Sequence, residues 1–109
     1  RLGGEDFTIR TALLEHRWLG GDAALAEQGA DEYGRCSGCH GPGAKSGGMA
    51  PDLRASAIIG SEEAFAEVVR AGGRMHNGMP RYAHLTDEQL LTLRHYLRRE
   101  AETALAAAK

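Results

Sequence analysis

The chain has 109 residues, the length of a single domain, and 18 alanines make up much of its 42% apolar content. Such a chain buries only a thin core, so a bound cofactor could form part of it. Its formal net charge of −2 argues against nucleic acid or an anionic membrane surface as a partner, and its apolar runs are too short to span a bilayer.

Alanine, leucine, glutamate and arginine are frequent, whereas valine and isoleucine together number only five. This balance predicts an all-α fold. No secretory leader is recognised in the sequence, so we expect that an exported form of the protein would be the mature chain or an excised domain.

The first half of the chain predicts two helices. A short helix at about residues 6–17 is followed by one that starts near Asp22 and leads into a cysteine motif at residues 35–43, RCSGCHGPG. Gly29 lies inside the second helix, where glycine is less favourable than alanine by about 1 kcal/mol, and this predicts a close helix crossing. We interpret residues 1–22 as an extension or linker and residues 23–109 as the folded domain.

The second half predicts two further helices. Ser61 is placed to cap the third helix, which is expected to end at Gly72. Thr86 and Gln89 have the spacing of a capping box at the start of the fourth helix, predicted at about residues 87–106. The apolar spacing predicts the buried stripes of these two helices: Phe65, Val68, Val69, Leu90, Leu93, Tyr96 and Leu97.

The only two cysteines of the chain are followed by a histidine in the motif Cys36-Ser-Gly-Cys39-His40. Two thiols on one helical turn can reach two vinyl groups at one porphyrin edge, and His40 can then bind the iron, so the motif indicates covalent haem attachment. A thioredoxin-like pair would need a βαβ setting, and a structural zinc site would need a fourth ligand. A disulfide would close a strained loop of two residues. Zinc binding and thiol chemistry remain the alternatives to haem.

Residues from about 24 to 100 resemble a class I c-type cytochrome domain. The resemblance rests on CSGCHG near the front, APDL after a glycine-rich loop, NGMPRY late in the chain and LRHYL in the last helix. Gly29 and Tyr33 resemble the glycine–aromatic pair that crosses the terminal helix in this family, with Tyr96 as the counterpart. GGMAPDLR and GMPRY are most similar to cytochrome domains and subunits of periplasmic dehydrogenases, including quinohaemoprotein alcohol dehydrogenases.

The resemblance implies a cytochrome c fold of about four helices around one covalently bound haem c and its iron. Cys36 and Cys39 would form the thioethers. His40 would be the proximal iron ligand and Met79 the distal ligand. The carbonyl of Pro51 would accept a hydrogen bond from the other ring nitrogen of the proximal histidine.

The function implied by the resemblance is single-electron transfer without bond chemistry, in the bacterial periplasm. The donor would be a dehydrogenase and the acceptor a cytochrome or an oxidase. A rival from another class is a five-coordinate haem enzyme or gas sensor, in which Met79 does not bind the iron.

Less specific roles are assigned to the other methionines, histidines and arginines. Met75 and His76 are alternative distal ligands, and Met49 is assigned to packing. Surface positions are expected for three histidines: His16, His84 and His95. One or two of four arginines are expected to neutralise haem propionates and the rest to be solvated: Arg54, Arg70, Arg74 and Arg81.

Charge is distributed unevenly along the chain. Residues 1–32 carry seven acidic residues and three arginines, a net charge of −4, whereas residues 33–84 have a net charge of +2. This asymmetry predicts an encounter surface near the haem edge, with an apolar centre and a basic rim drawn from Arg35, Lys45, Arg74 and Arg81.

Overall fold

The computed structural model describes residues 9–12, 14, 22–44, 53–75, 79 and 81–107. Every regular element in these ranges is helical, which confirms the predicted all-α class. The α-helices, numbered here along the chain, are α1 (Ala23–Glu32), α2 (Ser37–His40), α3 (Glu62–Val69) and α4 (Asp87–Ala107). Four short 3₁₀ helices join them: Tyr33–Arg35, Pro42–Ala44, Leu53–Ala55 and Ala57–Gly60. Residues 9–12 and 14 are also helical, inside the first predicted helix.

Helix α1 crosses α4 at Gly29, where the two backbones are in direct contact. A Cβ atom at Gly29 would collide with the carbonyl group of Thr92 and lie 2.7 Å from the Cβ of Tyr96. One helical turn after Gly29, the ring centroid of Tyr33 lies 5.0 Å from that of Tyr96. The close crossing predicted from the glycine is confirmed, because any side chain at this position would force the helices apart.

Side chains cap the starts of α3 and α4 as predicted. Ser61 Oγ accepts a hydrogen bond of 3.1 Å from the N–H of Ala64 in the first turn of α3. At the start of α4, the N–H of Gln89 donates to Oγ1 of Thr86 at 3.1 Å, and the N–H of Thr86 donates to Oε1 of Gln89 at 2.9 Å. This reciprocal pair satisfies two backbone donors that have no partner within the helix.

Helix α4 is the longest element, with 21 residues, and its predicted bounds differ from the observed ones by a single residue. Its buried positions include every residue of the predicted stripe. Among the helices of the described ranges, none is both long and apolar enough to cross a membrane.

One apolar cluster forms the core between α3, α4 and three of the 3₁₀ helices. Its members are buried side chains: Tyr33, Ala44, Ile59, Phe65, Val69, Leu85, Leu90, Leu93, Tyr96 and Leu97. Of the stripes predicted for α3 and α4, only Val68 lies outside this cluster, in a half-buried position. Seven partly buried side chains pack against the cluster and form its border: Ala30, Cys36, Leu53, Ile58, Ala66, Met79 and Tyr82.

Candidate cofactor site

The cysteine motif lies on α2 and the residue before it. The N–H of His40 donates to the carbonyl of Cys36 at 3.0 Å, which closes one helical turn and brings positions 36, 39 and 40 around it. His40 is buried and Cys36 is half-buried at the border of the core cluster. Cys39 is part of this helix, but its side chain lies outside the described structure.

Tyr33 connects the helix crossing to the motif. Its hydroxyl donates a hydrogen bond of 2.6 Å to the carbonyl of Gly41, the residue directly after His40. Gly41 has a φ of 87°, a backbone conformation that favours glycine, and it ends α2. The buried aromatic pair of Tyr33 and Tyr96 is therefore connected to the turn that follows the predicted proximal ligand.

Met79 lies in the loop between α3 and α4 and is half-buried. Its side chain packs against the same core cluster as Cys36. Its N–H donates to the carbonyl of Arg74 at 3.2 Å, which holds its backbone within the loop. Met75, the alternative ligand, is 56% exposed.

These residues fit haem c in their donor chemistry and in their surroundings. An imidazole and a thioether are donors that haem iron takes, and a thiol half-buried at an apolar border can form a thioether. Leu53, Ile58 and Tyr82 belong to the same border and are partly exposed. An apolar macrocycle placed against this border would contact side chains that suit it.

Several predicted positions lie outside the described residues. They are Pro51, His76, Met49, His16 and Lys45, together with the side chain of Arg35. The roles assigned to them stay predictions.

Two arginines are buried among the described residues, Arg54 and Arg94. Arg54 is only 7% exposed, so it is not a solvated surface charge, and its other predicted role, the neutralisation of a haem propionate, stays a prediction. Arg94, which the sequence analysis did not single out, is 3% exposed and donates from Nε to the carbonyl of Ile59 at 2.7 Å. Burial lowers the pKa of Arg94, and the nearby carboxylate of Glu62 partly opposes this. The sequence contains one signal for the burial of Arg94: it follows Leu90 by four residues and precedes Leu97 by three, so it lies on the buried face of α4.

His95 is also buried, so its predicted surface position is wrong. It is 7% exposed and lies on α4 against the start of α1, where its Nδ1 is 3.5 Å from the N–H of Asp22. The pKa of His95 is below its ordinary value, first because of burial and then because of Arg94 and Arg98, whereas Asp22 opposes the shift. His84 is exposed, as predicted.

We expect the free energy of unfolding to decrease as the pH falls below about 6.5, the ordinary pKa of histidine. The unfolded chain binds a proton at His95 more readily than the folded chain, so protons favour unfolding. The contribution of neutral His95 to the free energy of unfolding is fully present above that pH. It is lost as the pH falls towards the lowered pKa of His95 in the folded protein. Urea unfolding between about pH 5 and about pH 8 measures this slope.

His95→Gln should flatten the pH slope, and His84→Gln is the matched control at an exposed histidine. A His95→Gln variant with the slope of the wild type would show that another group is responsible.

One family profile and several curated proteins are similar in sequence to this chain. The profile described as cytochrome C oxidase, cbb3-type, subunit III matches residues 24–97. A quinohemoprotein alcohol dehydrogenase, ADH-IIG of Pseudomonas putida, is 40% identical over 85 residues, which are 76% of this chain and 12% of that protein. The dehydrogenase subunit of an alcohol dehydrogenase (quinone) from Gluconobacter oxydans is 39% identical over 67 residues, 61% of this chain and 9% of that protein.

The chain therefore spans only about a tenth of the length of these two relatives. A shorter match is of a different kind: a bifunctional uridylyltransferase/uridylyl-removing enzyme of Ruegeria pomeroyi is 73% identical over 26 residues, 24% of this chain and 3% of that enzyme. A stretch of this length does not show a shared domain. No solved structure matches the chain. Since the profile covers more than half of the chain and includes the cysteine motif, the chain belongs to the cytochrome c family of the cbb3-type subunit III kind, whose domains carry haem c.

Proposed function

We propose that this domain carries single electrons on one covalently attached haem c, from a periplasmic dehydrogenase to a cytochrome or an oxidase. The observation that carries the proposal is the common border of Cys36 and Met79 on one apolar cluster, with His40 buried at the end of α2. The printed names of the relatives, alcohol dehydrogenases that include a quinohemoprotein, support a dehydrogenase as the donor.

Each site residue has a defined role in this proposal. When bound, haem c supplies a one-electron iron couple. The thiols of Cys36 and Cys39 would hold the macrocycle by thioethers, and the imidazole of His40 would bind the iron. The hydrogen bond from Tyr33 to Gly41 restrains the backbone directly after this imidazole.

Met79 would supply the second iron ligand, and the carbonyl of Pro51 would accept a hydrogen bond from the ring nitrogen of His40 that does not bind iron. A thioether is a soft donor that favours ferrous iron and raises the reduction potential. If His40 and Met79 both bound the iron, no position would be open for oxygen, which would favour electron transfer over oxygen chemistry.

We place the protein in the periplasm, because haem attachment through thioethers follows export of the chain. The partners of an electron carrier are other redox proteins. The formal net charge of −2 gives no support to nucleic acid as a partner.

The test of this function is the mass and the visible spectrum of protein matured in a bacterial periplasm. We expect a mass increase of one haem that persists in denaturant, a low-spin ferric spectrum with a weak far-red methionine–iron band, and reversible reduction by one electron. A high-spin ferric spectrum would favour the five-coordinate enzyme or sensor. Protein without covalent haem would favour zinc binding or thiol chemistry as the role of the cysteine motif.

Met79→Ala is expected to abolish the far-red band and to lower the reduction potential. The loss of a soft ligand removes a preference for ferrous iron, and the drop should be on the order of 100 mV within the roughly 0.8 V that axial ligands cover. Potentiometric titration with spectral readout measures it.

Met75→Leu is the matched control, since it changes the exposed methionine of the same loop. Its ferric spectrum should remain that of the wild type. If the far-red band disappeared in Met75→Leu and persisted in Met79→Ala, Met75 would be the ligand.

A further inference from the structure

The loop between α3 and α4 is joined at its base by one side chain. Arg70, the residue directly after α3, donates from Nη1 to the carbonyl of Leu85 at 3.2 Å. The same nitrogen lies 2.7 Å from Oδ1 of Asp87, the first residue of α4. Arg70 and Leu85 are 15 positions apart, and Met79 lies between them in the chain. One guanidinium nitrogen therefore connects the two ends of the segment that carries the proposed distal ligand.

A backbone hydrogen bond also connects the two sides of the loop base. The N–H of Tyr82 donates to the carbonyl of Val69, the last residue of α3, at 2.8 Å. The N–H of Leu85 then donates to the carbonyl of Tyr82 at 3.2 Å. Val69 and Leu85 are buried members of the core cluster. The loop base is thus anchored in the core on both sides, and Arg70 adds a charged connection to this neutral one.

The hydrogen bond of Arg70 to the carbonyl is the stronger of its two contacts. The side chain of Asp87 is 73% exposed, and ion pairs so exposed to water contribute little to stability. In contrast, Leu85 is only 2% exposed, so its carbonyl depends on the protein for a donor. A charged donor also makes a stronger hydrogen bond than a neutral one. We therefore expect the contact with Leu85 to hold the two ends together.

This contact differs from both roles that the sequence suggests for Arg70, neutralisation of a haem propionate and solvation. Its side chain is 35% exposed, and its described partners are Leu85 and Asp87. Arg74 and Arg81, the arginines further along the same loop, are exposed. Arg70 is therefore held at the base of the loop, where it can act on Met79 without touching it.

We propose that Arg70 is a positioning residue for Met79: its contact with Leu85 keeps the loop base closed and the thioether within reach of the haem iron. The inference rests on the proposed electron-carrier function, in which Met79 is the distal ligand. The loop is in equilibrium between a closed form and an open form in which Met79 has left the iron. Arg70 stabilises the closed form alone, so its loss raises the open fraction.

Imidazole binding to the ferric haem-loaded protein measures this open fraction. Imidazole can bind the iron only where Met79 has left, so its apparent dissociation constant falls in proportion as the open fraction rises. We expect Arg70→Gln to bind imidazole about tenfold more tightly than the wild type, since a charged hydrogen bond is lost. The loss of the far-red methionine–iron band follows the titration, at mildly alkaline pH, where imidazole is uncharged.

Two further variants separate positioning from other effects of the arginine. Arg70→Lys should bind imidazole within about twofold of the wild type, because both contacts use one nitrogen and an ammonium group has three donors and the same charge. Arg99→Gln is the matched control: its side chain has the same exposure of 35%, and it is paired with Glu27 outside the loop. It should change the imidazole constant less than about twofold, because an exposed ion pair contributes little.

Amide hydrogen exchange tests the same opening without an added ligand. The N–H of Tyr82 is bonded across the loop base and should exchange about tenfold faster in Arg70→Gln. The N–H of Ala26, bonded to the carbonyl of Asp22 at 3.0 Å at the start of α1, should exchange at the rate of the wild type. Together these amides distinguish a local opening from a loss of global stability.

Unchanged imidazole binding in Arg70→Gln, in a protein whose wild type has the methionine–iron band, would overturn the role of Arg70 and leave the electron-carrier function standing. Equal effects of Arg70→Gln and Arg99→Gln would attribute the change to global stability and would also overturn it. A changed reduction potential with unchanged imidazole binding would assign Arg70 to a haem propionate instead. A wild-type protein without the band would overturn the assignment of Met79, on which the inference rests.

Discussion

Gly29→Ala should destabilise the folded protein by about 3 kcal/mol, near the upper end of what overpacking costs. The added methyl group would collide with the carbonyl of Thr92, a backbone atom that cannot rotate away as a side chain can. To make room, α1 and α4 must separate, which also disturbs the contact between Tyr33 and Tyr96. The urea midpoint of the haem-loaded protein measures the loss.

Gly34→Ala is the matched control for this crossing. Gly34 lies in the 3₁₀ helix directly after α1, and a Cβ placed there would have no heavy atom within 4 Å. Its φ is not positive, so alanine should be neutral or stabilising by up to about 1 kcal/mol. Equal stability of Gly29→Ala and Gly34→Ala would show that the crossing has room for a side chain.

The helices and their crossing were predictable because their signals are local or carried by one residue. Ser61 and the pair of Thr86 and Gln89 are caps that act within one turn, so the sequence alone places the starts of α3 and α4. Gly29 is unfavourable inside a helix unless another backbone needs the space, and α4 fills that space. Such features depend little on the rest of the fold.

The buried polar side chains were not predictable, because their partners are distant in sequence. The Nε of buried Arg94 donates to the carbonyl of Ile59, 35 residues away, and buried His95 lies against the start of α1. Residue type favours the surface for both. The helical repeat places Arg94 on the face of Leu90 and Leu97, and this signal would have been the better guide.

The candidate site also has a part that the sequence predicts and a part that it does not. The motif predicts Cys36 and His40 by type and spacing, and the fold brings Cys36 and Met79 to one apolar border. The hydrogen bond from Tyr33 to Gly41 joins residues eight positions apart, and no motif in the sequence indicates it. The sequence also does not indicate the backbone conformation of Ala44, which has a φ of 64° that alanine rarely adopts and is completely buried in the core cluster.

The double variant Cys36→Ala and Cys39→Ala is expected to lose both the covalent haem and the cooperative fold. The core cluster is small, and its border includes Leu53, Ile58 and Met79 in partly exposed positions. Haem bound at this border adds apolar contacts that the chain cannot supply itself, at about 25 cal/mol for each Å² removed from water. A ligand bound by the folded state alone stabilises that state.

Denaturing mass spectrometry and thermal melting followed by circular dichroism measure the two losses separately. Each single variant should retain at most one thioether. Ser37→Ala changes a neighbouring position of the motif and removes an exposed hydrogen bond of 3.0 Å to the carbonyl of Gly34, so it should keep the haem and lose no more than about 1 kcal/mol. If the haem-free double variant melts cooperatively at the temperature of the wild type, haem does not stabilise the fold, because the helix crossing at Gly29 and the core cluster would then suffice by themselves.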